Sequence, residues 1–457
     1  MTDTAFSRRG DSLRPDRRKS STLRDRLPFL GALREGVLFT IITLCYATHA
    51  PGIIFGATGT AAGDATDGDT VKQVLFIAAF CAAAALLVMH SGVRSLLAVP
   101  AFFLPALVWC WLSVLWAIDP ISAVRRIAFT TIVILTVSYA LWDLPFERAI
   151  GVITSACAVG VLADWAAVAL FPRAIHMADE IDPALVGNWR GVHQDKNEAG
   201  GFLAMAFLIF LHQAIRHRSW LSGGGLLVLT IGFLWMTQSK TALALLAVAL
   251  LLGLLIQLCH DNAPIRRVVL LVLTGVAAPA CLVGWESIVR KAENFLAAPD
   301  SLTGRVQIWS VLFDYVAEHP LLGSGYGSFW GIGDRSPVLD YTAGWLTQVY
   351  QAHNGYLDIL AQTGVVGFIV VVLALIVVPL HDLLLAPLGT GASRWLLGSM
   401  LVFGWLRDLM ETSFMDRATS IWPLMIIAYC LLARERTFRL SPRLVRPSTP
   451  RKVTSVP

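Results

Sequence analysis

Residues 241–259 read TALALLAVALLLGLLIQLC, a stretch with no charged side chain. As a helix rising 1.5 Å per residue it would extend about 28 Å, close to the roughly 30 Å hydrocarbon thickness of a bilayer. A helix that is apolar on every face is buried in lipid or in a large core. Similar runs recur on both sides of it. Reading outward gives twelve candidates at 36–54, 73–90, 95–117, 124–142, 149–171, 197–214, 220–236, 241–259, 267–285, 355–380, 395–411 and 418–434. The runs at 95–117 and 395–411 are interrupted by breaks or charges. The expected fold is an all-α integral membrane protein of about twelve transmembrane helices, with one long loop between helices 9 and 10.

The composition of the 457-residue chain supports this. It is 56% apolar before its 36 glycines are counted, where soluble domains reach about 45–50% with glycine included. Charged residues make up 15%, against about 25% in soluble domains. These values exclude disorder, a disulfide scaffold and a nucleic-acid-binding module. The seven cysteines lie in apolar runs without CxxC spacing and read as packing residues.

The net charge of +5 comes from the two ends. Residues 1–35 carry nine basic side chains, and seven more follow Ala433. Basic segments flanking spans are retained in the cytoplasm, and an even span count places both termini there. No cleavable leader is expected, because 35 polar residues precede the first run. The expected division is a basic cytoplasmic tail at 1–35, helices 1–9 over 36–285 and a periplasmic loop at 286–354. Helices 10–12 over 355–434 and a second basic tail at 435–457 complete it. The loop holds seven acidic and four basic residues, and a segment this long usually carries function. Within it Val306, Trp309, Leu312, Tyr315 and Val316 recur at helical spacing, predicting an amphipathic helix that Pro320 and the following glycines end. Gly323-Ser324-Gly325-Tyr326-Gly327 lacks the Gly-Lys-Ser/Thr of a phosphate loop and reads as a flexible turn.

Two strings carry candidate chemistry. His353-Asn354-Gly355-Tyr356-Leu357-Asp358-Ile359-Leu360-Ala361-Gln362 stands at the mouth of the tenth run. There Asn354, Asp358 and Gln362 share one helix face. A carboxylate one turn into a membrane helix faces the bundle interior or a wet cavity, so the stripe is either a polar seam or a cavity wall. His353 heads it, and its imidazole suits proton transfer near neutrality. Trp189-Arg190-Gly191-Val192-His193-Gln194-Asp195-Lys196-Asn197 gathers cations suited to a phosphate or diphosphate, or else to a solvated turn. Arg305, Lys240 and Arg125 have similar settings. The ten histidines are scattered, without HExxH spacing. Transfer chemistry here would therefore use Arg and Lys, with no metal and no cofactor.

These strings, taken in order, resemble the O-antigen ligase/polymerase superfamily of bacterial membrane glycosyltransferases. The landmarks are Trp116-Ala117-Ile118-Asp119-Pro120 with Arg125, Arg190-Gly191 to Lys196-Asn197, and Ser239-Lys240-Thr241. Thr303-Gly304-Arg305 with Trp309, His319-Pro320-Leu321-Leu322-Gly323-Ser324-Gly325, and His353-Asn354 followed by Gly364 and Gly367 complete the series. The resemblance implies metal-independent, inverting transfer of a glycan from undecaprenyl diphosphate at the periplasmic face of the inner membrane. Arg190 and Arg305 would hold the diphosphate and His353 would assist the acceptor. Arg125, Lys196, Asn197, Lys240, Asn354 and Asp358 would support them. The family often has Arg where this chain has Lys240, which keeps the charge but loses the bidentate fork. The strings around 116–120 and 196–197 lean toward exopolysaccharide polymerases rather than ligases of O-antigen to lipid A-core. Implied partners are the bilayer, the lipid-linked glycan, a chain-length regulator and export proteins. A lipid-linked oligosaccharide transporter is the alternative from another class. It should show inverted repeats and broken helices, whereas the sequence shows no clear halves. A non-catalytic scaffold for polysaccharide assembly is the third reading.

Overall fold

The computed structural model describes residues 17–47, 50–55, 70–97, 99–142, 144–177, 185–217, 220–272, 304–386, 391–416 and 419–440. Among the described residues every named element is helical, and an isolated bridge joins Ile175 to Trp189. Six helices among the described residues are long and apolar enough to cross a bilayer: Gln73–Ser91, Pro120–Leu141, Phe146–Leu170, Lys196–His217, Lys240–Asp261 and Gly355–Leu385. The protein is an all-α membrane protein. Exposed Leu251, Leu254 and Leu258 on the 240–261 helix need a hydrocarbon solvent rather than water.

Several expected runs take a different form. The run at 95–117 is divided into a 3₁₀ turn, the helix Phe103–Leu112 and a second turn, Ser113–Trp116. The run at 395–411 is the helix Gly391–Arg407, which stops where charged residues begin. The first helix, Arg17–Tyr46, starts inside the stretch expected to be a polar tail, because Arg, Lys and Leu are good helix formers. Of the run at 267–285 only the part within Ala263–Val272 is described, and the first part of the long loop, 286–303, also lies outside the described residues.

The helix Lys196–His217 lies at the centre and packs against those at 146–170, 220–236, 240–261, 391–407 and 421–440. Glycines permit the closest approaches: a Cβ on Gly253 would overlap Ser399, and one on Gly201 would meet Arg407. The helix starts at 120, 196, 240, 355 and 421 and the helix end at 407 meet at one end of the bundle. The opposite end carries Arg216, paired with Glu147 at 3.1 Å, and Arg434, which donates to the Leu141 carbonyl at 3.1 Å.

The segment 320–331 overturns the flexible-turn reading. Ser324, Tyr326 and Ser328 are buried, and the segment is built into the helices. The helix Gly355–Val372 is broken at Gly364, whose φ of 65° takes its backbone out of helical geometry. The groups freed by the break find partners. Val365 N donates to Pro320 O at 2.8 Å, Ala361 O accepts from Ser324 N at 3.0 Å, and Thr363 O accepts from Trp109 Nε1 at 3.2 Å. Unpaired backbone groups at such depth would each cost several kcal/mol. On its other side the segment receives Trp116 Nε1 at Leu322 O (3.0 Å), while Tyr326 N donates to Ser113 Oγ at 2.9 Å. Buried Arg126 donates to the carbonyls of Gly327, Trp330 and Gly331 at 2.7, 2.6 and 3.0 Å. The glycines at 323 and 325 have positive φ, and a Cβ would strike Ala361 or Ala117. They are there for contact.

Candidate functional site

The amphipathic helix predicted in the long loop is Arg305–Glu318, with Ile308, Val311, Leu312 and Tyr315 buried. Gly304 starts it with φ +79°, against the ring of Trp345. Arg305 is therefore the first helical residue and sits at the same end of the bundle as His353. Trp309, one turn on, donates to Ala352 O at 3.0 Å, directly beside His353. Asn354 caps the next helix, its Oδ1 accepting from the amides of Tyr356 and Leu357, both at 3.1 Å. The preceding His353 has φ +48°, a left-handed backbone uncommon outside glycine.

The residue that joins these two elements is Glu411, in the loop after the 391–407 helix. One carboxylate oxygen accepts from Arg305 Nη2, and the other lies 3.0 Å from His353 Nδ1. Glu411 is buried, which alone would raise its pKa. The hydrogen bond from His353 and the charges of Arg305 and Arg407 hold it below the usual carboxylate range. It is an anion. The loop is fixed to the histidine's own helix by Gly355 N, which donates to Asp408 O at 2.8 Å and Glu411 O at 3.0 Å.

A second group forms around the start of the 196–217 helix. Asp195 caps it, accepting from the amides of Asn197 and Glu198 at 2.7 and 2.9 Å. Buried Glu198 accepts from Gln194 N at 3.2 Å and Ser420 N at 3.1 Å. Asn197 Oδ1 accepts from Ser239 Oγ at 3.3 Å, which places Lys196 and Lys240 on adjoining helix starts. Arg190 donates from Nε to Arg173 O at 2.8 Å and from Nη1 to Gln194 O at 3.3 Å, so it braces the loop that carries it. Buried Arg407 connects the two groups. It donates to Ser413 Oγ and to Asn197 O (3.5 Å), and the amide of Glu411 donates to its carbonyl at 2.9 Å.

Residues 225–372 match the family model described as O-antigen ligase. This segment belongs to the O-antigen ligase/polymerase superfamily. The match covers about a third of the chain and includes Lys240, Arg305, His353, Asn354 and Asp358. Arg125, Arg190, Lys196 and Asn197 precede it, and Glu411 follows it. No curated protein matches the chain.

Within the O-antigen ligase segment, Arg305 and His353 converge and Lys240 is exposed at its helix start. Asp358 and Gln362 turn toward the 320–331 segment. Asp358 Oδ1 accepts from Trp330 Nε1 at 2.6 Å, and Gln362 Oε1 from Gly327 N at 2.6 Å. They form a polar seam beneath His353. Arg125 lies half-buried in the second turn of the 120–141 helix, beside Arg126. Sequence reasoning missed Glu411, Arg407 and Glu198. The signal was present: three charges, Arg407, Asp408 and Glu411, end an otherwise apolar run.

Proposed function

We propose that this protein transfers a glycan from an undecaprenyl-diphosphate-linked donor to an acceptor hydroxyl at the periplasmic face of the bacterial inner membrane. The observation that carries the reading is the convergence of Arg305 and His353 on the two oxygens of one buried carboxylate. A cation suited to phosphate and an imidazole suited to proton transfer thus stand side by side within an O-antigen ligase segment.

The chemistry is a single displacement. The acceptor oxygen forms a bond to the anomeric carbon as the carbon–oxygen bond to the diphosphate breaks. The bonding pair leaves on the diphosphate and the hydroxyl proton passes to His353. Attack opposite the leaving group inverts the anomeric centre. Arg305 and Arg190 stabilise the charge growing on the leaving group, with Lys196 and Lys240 adding positive potential. Arg125 and Asn197 support the adjoining helix starts, while Asn354 and Asp358 hold the histidine's helix. No step needs a metal, since the guanidinium groups take the role of a divalent ion.

The proposed topology has twelve spans, cytoplasmic termini and a periplasmic 286–354 segment. The basic tails, and the placement of Arg216 and Arg434 at the end of the bundle opposite the site, support it. Polymerisation of exopolysaccharide or O-antigen repeats is the first reading, with a chain-length regulator and export proteins as partners. Ligation of O-antigen to lipid A-core is the second, favoured by the description of the matching family.

Purified protein in lipid should release undecaprenyl diphosphate from a lipid-linked glycan, and His353→Ala should stop this. In cells, a polymerase variant should accumulate single repeats. A ligase variant should leave long polymer on its carrier and lipid A-core uncapped. Movement of intact donor between leaflets without diphosphate release would make the protein a transporter and overturn the reading.

A further inference from the structure

The reaction assigned above uses Arg305 and His353, but neither holds itself in place. Arg305 starts one helix of the long loop, and His353 precedes another with its backbone in the left-handed region, a strained conformation for a residue other than glycine. Glu411 comes from a third element, beyond the family-matched segment. From this geometry we propose that Glu411 is the positioning residue of the site, one carboxylate that fixes the tautomer of His353 with one oxygen and orients Arg305 with the other.

The tautomer follows from the inventory of donors. An ionised carboxylate only accepts, so the 3.0 Å contact requires the proton of neutral His353 to be on Nδ1. Nε2 then carries the lone pair that a general base needs. The histidine side chain is 29% exposed and the Glu411 side chain 9%. The imidazole can meet an acceptor while the carboxylate stays behind it. When the imidazole takes a proton, the anion behind it stabilises the cation formed. The charged groups facing Glu411 are Arg305, Arg407 and His353, with Asp358 one turn below the histidine. Burial opposes its ionisation, and these three cationic or donating neighbours outweigh it.

This inference rests on the transfer reading, and the test separates the two. In full-length protein in lipid nanodiscs, His353→Ala examines the base itself. Full activity there would sink the transfer role of the histidine whatever Glu411 does. With that role standing, Glu411→Gln, which keeps volume and one acceptor, should lower kcat by about 10²-fold or more, the low end of what a positioned base contributes. KM for the lipid-linked donor should not rise. Unchanged kcat would overturn the proposal. A direct measurement needs no Glu411 variant. In ¹⁵N-histidine-labelled protein, the signal that disappears in His353→Gln should report the Nδ1–H tautomer near neutrality, and an Nε2–H tautomer would overturn the assignment.

Discussion

Two carboxylates three residues apart take opposite directions, and the difference is in what faces them. Glu411 meets a guanidinium and an imidazole and is held below the usual carboxylate range. Asp408 is fully enclosed, and burial pushes it up to about 8. The amides of Ser413 and Phe414 and the charge of Arg407 offset this only in part. Burial thus favours the neutral form of Asp408, whose Oδ1 accepts from the two backbone amides. Asp408→Asn should leave thermal stability and transfer close to wild type at pH 7, measured in detergent and in the lipid-linked glycan assay. Glu411 behaves otherwise. Its folded pKa lies below its unfolded value, so it contributes stability above the unfolded value, near 4.3, which is lost as pH falls through the folded pKa. Wild type should therefore lose more of its melting temperature than Glu411→Gln does as pH falls from about 7 to well below about 4, through the folded pKa. Equal losses would mean that the ion pair contributes nothing. The arginines allow a finer discrimination. Arg305→Ala and Arg190→Ala should each strongly reduce glycan transfer while the protein still inserts. Arg→Lys should restore only part, since a point charge lacks the fork that spans two phosphate oxygens.

At the scale of elements, the decisive feature is the break at Gly364. Nine residues beyond Gly355 its backbone turns, and the 320–324 segment fits into the gap. Gly364→Ala should be strongly destabilising, because a Cβ there would overlap the Leu321 carbonyl in addition to the cost of a positive φ. Gly333 has a similar φ of +66° with open space around it, so Gly333→Ala should cost only the backbone term, about 1–2 kcal/mol. Melting temperatures of both variants check this, and equal losses would show that the interlock carries no weight. The same comparison explains what the sequence makes legible. Apolar runs locate the starts of the helices at 120, 146, 196, 220, 240 and 355 to within four residues, because lipid requires length and apolarity and both are written locally. The pairing of Trp116 with Leu322 or Arg126 with Trp330 spans about 200 positions, and no local periodicity encodes it. Gly323 and Gly364 are visible as a motif, but that they face each other is not. Arg305 and His353 are legible as chemistry, whereas Glu411 is concealed by the apolar run it terminates.

For the whole molecule, orientation follows from how each end treats its cations. At the site end Arg126 and Arg407 donate to loop carbonyls and a hydroxyl, and Arg305 is oriented by Glu411. Charges bound in this way must be placed wherever the site is. At the other end Arg148 and Arg216 lie at the surface, paired with Glu35 and Glu147, and the two tails carry sixteen basic residues in sequence. Positive charge in short loops and tails is what the insertion machinery holds in the cytoplasm. The site should accordingly face the periplasm, where the proposed transfer takes its lipid-linked donor. A pair of single-cysteine variants, made after the native cysteines are replaced, tests this without truncating the chain. Gly344→Cys stands on an exposed turn of the long loop, and Arg216→Cys at the opposite end. A membrane-impermeant maleimide applied to intact spheroplasts should label the cysteine at 344 and leave the one at 216 unmodified until the membrane is opened. Labelling at 216 alone would invert the molecule. It would place the arginine–glutamate–histidine cluster on the cytoplasmic side, away from any acceptor in the periplasm, and the transfer reading would lose its substrate.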